Sequence, residues 1–202
     1  HMALGSSIGG VGTRAEISVA GRYRTDALGT TQAFTLAQTS TTAYNLIAGD
    51  GRIRWGDYSQ TVVDPTDDMT MWTFQEYCDA TNSWGVRAIQ LRSKPPATPS
   101  ASSVTNIAAG LPSVNIIITG TPVPGSEFFA PGADAGGPGF ANHIAASISG
   151  SVTVNSVTFT DPTHVTLNIS TIGSPAGLKN ITITNPDGQT ATGNNLINIT
   201  TV

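Results

Sequence analysis

Apolar and polar positions alternate with period 2 along most of this chain, which predicts β-strands. Ala15, Ile17 and Val19 alternate with Glu16 and Ser18, and residues 32–38 repeat the pattern through Phe34 and Leu36. Residues 44–47, 70–74 and 85–91 are further β-prone runs, joined by turn chemistry at Thr25-Asp26-Ala27-Leu28-Gly29, Asp50-Gly51 and Asp79-Ala80-Thr81-Asn82-Ser83. No window of about ten residues in this half carries a helical stripe, so about six antiparallel strands are expected. The second half alternates over 115–119, 143–148, 151–160, 165–169, 179–185 and 191–199. Turn signals separate these runs at Pro124-Gly125, Ser149-Gly150, Asp161-Pro162, Ser174-Pro175-Ala176-Gly177 and Asn185-Pro186-Asp187-Gly188. About seven short strands in about a hundred residues is the spacing of an immunoglobulin-like sandwich, here without its disulfide. Residues 128–140 interrupt it as a loop rich in glycine and proline.

Lys94-Pro95-Pro96-Ala97-Thr98-Pro99-Ser100 is the clearest punctuation. Its prolines remove backbone donors and force extended dihedrals, so neither ladder nor helix is expected to pass through. The expected organisation is a flexible lead-in over 1–13, an antiparallel β domain over 14–94, a Pro-rich linker over 95–100 and a sandwich over 101–202. The lead-in includes His1-Met2, which reads as a cloning remnant and is compatible with removal of a natural signal peptide. Its Gly9-Gly10-Val11-Gly12 cluster lacks the strand-before, helix-after setting of a phosphate loop. The expected fold class is all-β, an antiparallel N-terminal sheet domain followed by an immunoglobulin-like β-sandwich.

Composition fits that class. Charged residues make up 11% of the 202, glycines number 22, and hydrophobic residues at 39% suffice for folded cores. A net charge of -4 argues against nucleic acid and against a basic membrane-binding patch. Charge is uneven: the second half carries only Lys179 against Glu127, Asp134, Asp161 and Asp187, leaving solubility to Thr, Ser and Asn. Cys78 is the one cysteine, so no internal disulfide forms and a small buried apolar role is expected. No run approaches the roughly 18 apolar residues of a membrane span.

Two resemblances bear on function. Residues 112–202 resemble an IPT/TIG domain, the immunoglobulin-like module of many exported bacterial proteins. Ile116-Ile117-Ile118-Thr119-Gly120-Thr121, Val157-Thr158-Phe159-Thr160 and Ile181-Thr182-Ile183-Thr184-Asn185-Pro186-Asp187-Gly188-Gln189 carry it. The resemblance implies a sandwich that spaces, docks or binds, and no catalytic residue. The N-terminal half resembles the closing segment of sialidase-like β-propellers of secreted bacterial proteins. Arg54-Trp55-Gly56-Asp57-Tyr58-Ser59, Val63-Asp64-Pro65, Met71-Trp72-Thr73 and Glu76-Tyr77 carry that likeness. A blade takes about 40 to 45 residues, so 14–93 supply about two blades, too few to close a propeller. Such strands would pair with other domains of a parent protein or with a second copy through open sheet edges.

Candidate chemistry gathers in the same stretch. Asp57, Asp64, Asp67 and Asp68 form the one acidic cluster, and two uses are open: calcium ligation by carboxylate oxygens, or capping of a turn. Trp55, Tyr58, Trp72, Tyr77 and Trp84 also have two uses, as a polysaccharide-stacking platform or as core. Arg52, Arg54 and Arg87 are available to the acidic loop or to a carboxylate ligand. His143 and His164 lack partners for zinc, and no nucleophile elbow or triad spacing occurs. Asn168, Asn180 and Asn198 match glycosylation sequons but suit ordinary strand positions. The expectation is a non-catalytic, exported accessory module of a larger secreted or cell-surface bacterial protein, acting in adhesion, docking or spacing. The alternative is a carbohydrate-binding module using the aromatic platform.

Overall fold

The computed structural model describes residues 1–56, 58–121, 123–132 and 136–201. Among them the chain is all-β, with fourteen strands in four mostly antiparallel sheets and no helix. It divides into two units, His1–Ser93 and Lys94–Val202.

In the first unit, β1 (Met2–Gly10), β2 (Thr13–Arg22) and β3 (Thr35–Gln38) form one sheet in the order β1-β2-β3. A second holds β4 (Gln60–Val63), β5 (Met71–Tyr77) and β6 (Gly85–Leu91) in the order β4-β5-β6. Each has three strands, one fewer than a four-stranded propeller blade.

The expected flexible lead-in is corrected here. Residues 2–10 pair with β2 from Met2↔Arg22 to Gly10↔Thr13 as a hairpin whose register shifts between Ile8 and Gly10. The reason lies in which face turns inward. Ala3, Gly5, Ser7 and Ile8 are the partly covered residues of β1, and a β-carbon on Gly5 would overlap the Thr73 side chain of β5. Small residues permit that approach of the two sheets. Ser7 Oγ donates to the Glu76 carbonyl at 2.7 Å, and Cys78 N donates to the Ala15 carbonyl at 2.9 Å, bonding one sheet to the other.

The expected strand over 44–47 is also corrected: Ile47 makes only an isolated bridge to Ile53. Between them Ala48 N bonds the Arg52 carbonyl and Gly51 N the Ala48 carbonyl, closing a turn directly after the run.

The interior of this unit is thin and polar. Ile17 and Cys78 are its buried hydrophobic side chains, beside buried Ser18, Ser40, Thr70, Thr73 and Gln75. Thr73 Oγ1 accepts from Thr61 Oγ1 at 3.0 Å and from Gln75 Nε2 at 2.8 Å, while donating to the Gln60 carbonyl. Gln75 Oε1 is buried with no partner.

The second unit is a two-sheet sandwich. One sheet orders β11 (Thr153–Asp161), β12 (His164–Ser170), β9 (Val114–Thr121) and β7 (Thr98–Ser102); the other orders β10 (Ala145–Ile148), β13 (Gly177–Thr184), β14 (Thr190–Thr200) and β8 (Asn106–Ala108). Only β14 and β8 pair in parallel. Alternate residues meet between the sheets: Ile116, Ile118, Val165, Leu167, Ile169, Ile181, Ile183, Ile197 and Ile199 are all buried. Each such side chain contributes about 1.5–3 kcal/mol on burial.

The Pro-rich linker is the third correction. Residues 98–102 are β7, with Pro99 opposite Gly120 and Ala97 fully buried. β7 lies at a sheet edge, where a missing N–H leaves no ladder bond unmade. Lys94 also belongs to this unit, since its ammonium pairs with Glu127 at 3.0 Å.

The loop expected over 128–140 is anchored where it begins. Phe128 is fully buried, and Asn185, at the β13–β14 turn, accepts from Phe129 N and donates to the Glu127 and Lys94 carbonyls. Gly188, at φ 78°, closes that turn through its bond to the Asn185 carbonyl.

Candidate functional site

The acidic cluster divides between turn geometry and a residue outside those described, Asp57. Asp64 Oδ1 accepts from Thr66 N at 2.9 Å and Thr66 Oγ1 at 2.7 Å, and its Oδ2 accepts from Trp72 Nε1 at 2.9 Å. Asp67 Oδ1 accepts from the amides of Met69 and Thr70, and its Oδ2 from Thr70 Oγ1 at 2.6 Å. Asp68 takes the left-handed conformation at φ 55°. These bonds join β4 to β5 through a capped turn, the second of the two uses open in the sequence.

Donors to the charged form hold both carboxyls below their ordinary range. For Asp64 the main cause is the Thr66 hydroxyl. For Asp67 the raising effect of burial is outweighed by the Thr70 hydroxyl and the Met69 and Thr70 amides. No group of three or more His, Cys, Asp or Glu able to hold a metal ion occurs among the described residues.

The five aromatics separate as well. Trp72 packs over the capped turn through its bond to Asp64. The Tyr77 ring lies beside Gly85, its cross-strand partner. Tyr58, 90% exposed, shares an open hollow of about 430 Å³ with Phe74 and Val86. Trp55 and Trp84 line a different cleft, of about 210 Å³, together with Tyr44, Arg54, Gly56 and Glu76.

Three chain segments build that cleft. The segment between β3 and β4 brings Tyr44, Arg54, Trp55 and Gly56; β5 supplies Glu76; and Trp84 immediately precedes β6. Tyr44 and Trp55 meet edge to face, with centroids 5.1 Å apart and planes at 75°. Such a pair adds about 0.5–1.5 kcal/mol beyond burial and fixes both rings. The Glu76 carboxylate lies against Gly56 so closely that any side chain there would overlap it. Arg54 pairs with Asp50 at 3.6 Å. Trp55 Nε1 is buried with no partner among the described residues. Sequence reasoning did not find Tyr44, because its run reads as a strand, and took Glu76 only as a neighbour of Tyr77.

A larger hollow, of about 860 Å³, opens on the first unit between Ile8, Phe34, Leu36, Tyr44, Ile53 and Trp55. Phe34 is 65% exposed, and Leu36 and Ile53 are exposed beside it.

In the second unit the nearest approach to a reactive pair is His164 Nδ1 with Asp161 Oδ2 at 2.9 Å. Thr163 N and Thr163 Oγ1 also bond Asp161, so the group is a turn between β11 and β12. Asn168 donates to Ser113 and Asn115 and accepts from Asn155, an ordinary polar strand role. Among the described residues no helix is long and apolar enough to cross a membrane. Comparison with family models, curated proteins and solved structures finds no match for the chain.

Proposed function

We propose that the chain is a non-catalytic accessory module of a larger exported bacterial protein, secreted or at the cell surface, acting in adhesion, docking or spacing. One observation carries this reading: the first unit buries two hydrophobic side chains while leaving Phe34, Leu36 and Ile53 around an open 860 Å³ hollow. Uncovered apolar surface of that kind is stabilised by a second apolar surface laid over it. The covering surface is another sheet of the parent protein or a second copy of this chain. The second unit, with its resemblance to IPT/TIG modules and its few charges, then serves as a rigid spacer.

Light scattering and binding of a hydrophobic dye test this. The chain should associate or bind dye, and the double variant Phe34→Glu, Ile53→Glu should do neither while keeping its β-sheet circular dichroism. A chain that is monomeric and dye-free from the start contradicts the reading.

A second reading, carbohydrate recognition, is favoured by a separate observation. Trp55 and Trp84 share one cleft with Tyr44, a carboxylate and a guanidinium. Aromatic faces beside paired polar groups suit a ligand with apolar C–H faces and hydroxyl edges.

A further inference from the structure

We infer that the cleft bounded by Tyr44, Trp55 and Trp84 binds a single neutral pyranose ring of a glycan, with Glu76 accepting and Arg54 donating hydrogen bonds. This rests on the carbohydrate reading and narrows it to one site and one ligand class.

Size sets the first limit. At about 210 Å³ the cleft is smaller than the roughly 300–1,000 Å³ of pockets for drug-sized ligands, which matches one sugar ring.

Chemistry sets the second. Trp84 is 58% exposed and offers a face for sugar C–H groups, while Trp55 is held in place by Tyr44. The opposite needs of a sugar edge are met by Glu76, which accepts, and Arg54, which donates.

Charge sets the third. The Arg54 guanidinium faces the Asp50 carboxylate at 3.6 Å, whereas no basic side chain forms an ion pair with Glu76 among the described residues. The charged groups lining the cleft are one guanidinium, Arg54, and one carboxylate, Glu76, so it offers no net charge to attract a sugar that carries a carboxylate.

Gly56 makes the arrangement possible. Without a side chain it lets the segment bearing Trp55 close onto the Glu76 carboxylate.

The test uses the intact 202-residue chain. It is titrated with glycans ending in neutral hexose or N-acetylhexosamine, with sialylated and uronate-bearing glycans, and with choline. Neutral termini should bind, and Trp84→Ala should weaken binding by about tenfold. Glu76→Gln should weaken it several-fold and narrow the gap between neutral and acidic ligands. Leu178→Ala, on the second unit, should leave affinity unchanged, and circular dichroism confirms that each variant is folded. Failure of every glycan to bind overturns the carbohydrate reading and this inference with it. Glycan binding that ignores both cleft variants leaves that reading standing and overturns the site. Preference for acidic termini, or binding of choline in place of sugar, overturns the ligand class.

Discussion

At the scale of single residues, carboxylates in this chain organise turns. Asp64, Asp67 and Asp161 each accept from amides and hydroxyls a few positions on, and each is held below its ordinary pKa. Asp161 is brought from 3.8 to about 2, chiefly by the Thr163 amide, with the Thr163 hydroxyl and His164 adding to it against some desolvation. Between those values the unfolded chain binds more protons than the folded one, so stability rises with pH across the window. The contribution is complete above the unfolded value and is lost as pH falls through the folded one. Asp161→Asn should therefore flatten the acid-side loss of stability in the second unit, read from the protection of β11 and β12 amides in this window. An unchanged acid profile would count against the turn as a contributor. Acidic density is visible in the sequence as a local feature. The choice between ligation and capping was not legible, because it depends on where the hydroxyls and amides point.

At the scale of elements, the legible strands were those whose inward positions are large and apolar. Val165, Leu167 and Ile169 on β12, and Ile181 and Ile183 on β13, announce a buried face by alternation alone. β1 hides because its pattern is inverted: Ala3, Gly5 and Ser7 turn inward against β5, and Leu4, 47% exposed, turns out. β7 hides because Pro99, after Pro95 and Pro96, suggests a break, yet an edge strand accommodates it. Residues 44–47 mislead in the other direction, as a β-prone run that leads into a turn and delivers Tyr44 to the cleft. Gly5→Val tests the β1 assignment. Its side chain would meet Thr73, and the first unit should lose about 1–3 kcal/mol in urea unfolding followed by tryptophan fluorescence. All three tryptophans lie in that unit, so the signal reports it directly. A neutral result would mean that β1 does not pack on β5.

At the scale of the whole molecule, the two units are stabilised differently. The second closes a continuous aliphatic core between two sheets, with Phe128 and Ala97 sealing it beside Gly120. The first bonds its two sheets through Ser7 to the Glu76 carbonyl and Cys78 N to the Ala15 carbonyl, and leaves much of its apolar surface outside. Composition could not reveal this split, because hydrophobic residues occur in both halves and only their inward or outward placement differs. The site was half legible for the same reason: Trp55 and Trp84 were visible as aromatics, whereas their pairing with Tyr44 and Glu76 depends on a loop conformation. Native-state hydrogen exchange on the intact chain tests most directly whether the first unit is built to be covered. Amides of β12 and β13 should be the most protected, and those of β2 and β5 should open at markedly lower free energy. Protection of β5 equal to that of β12 would contradict the account.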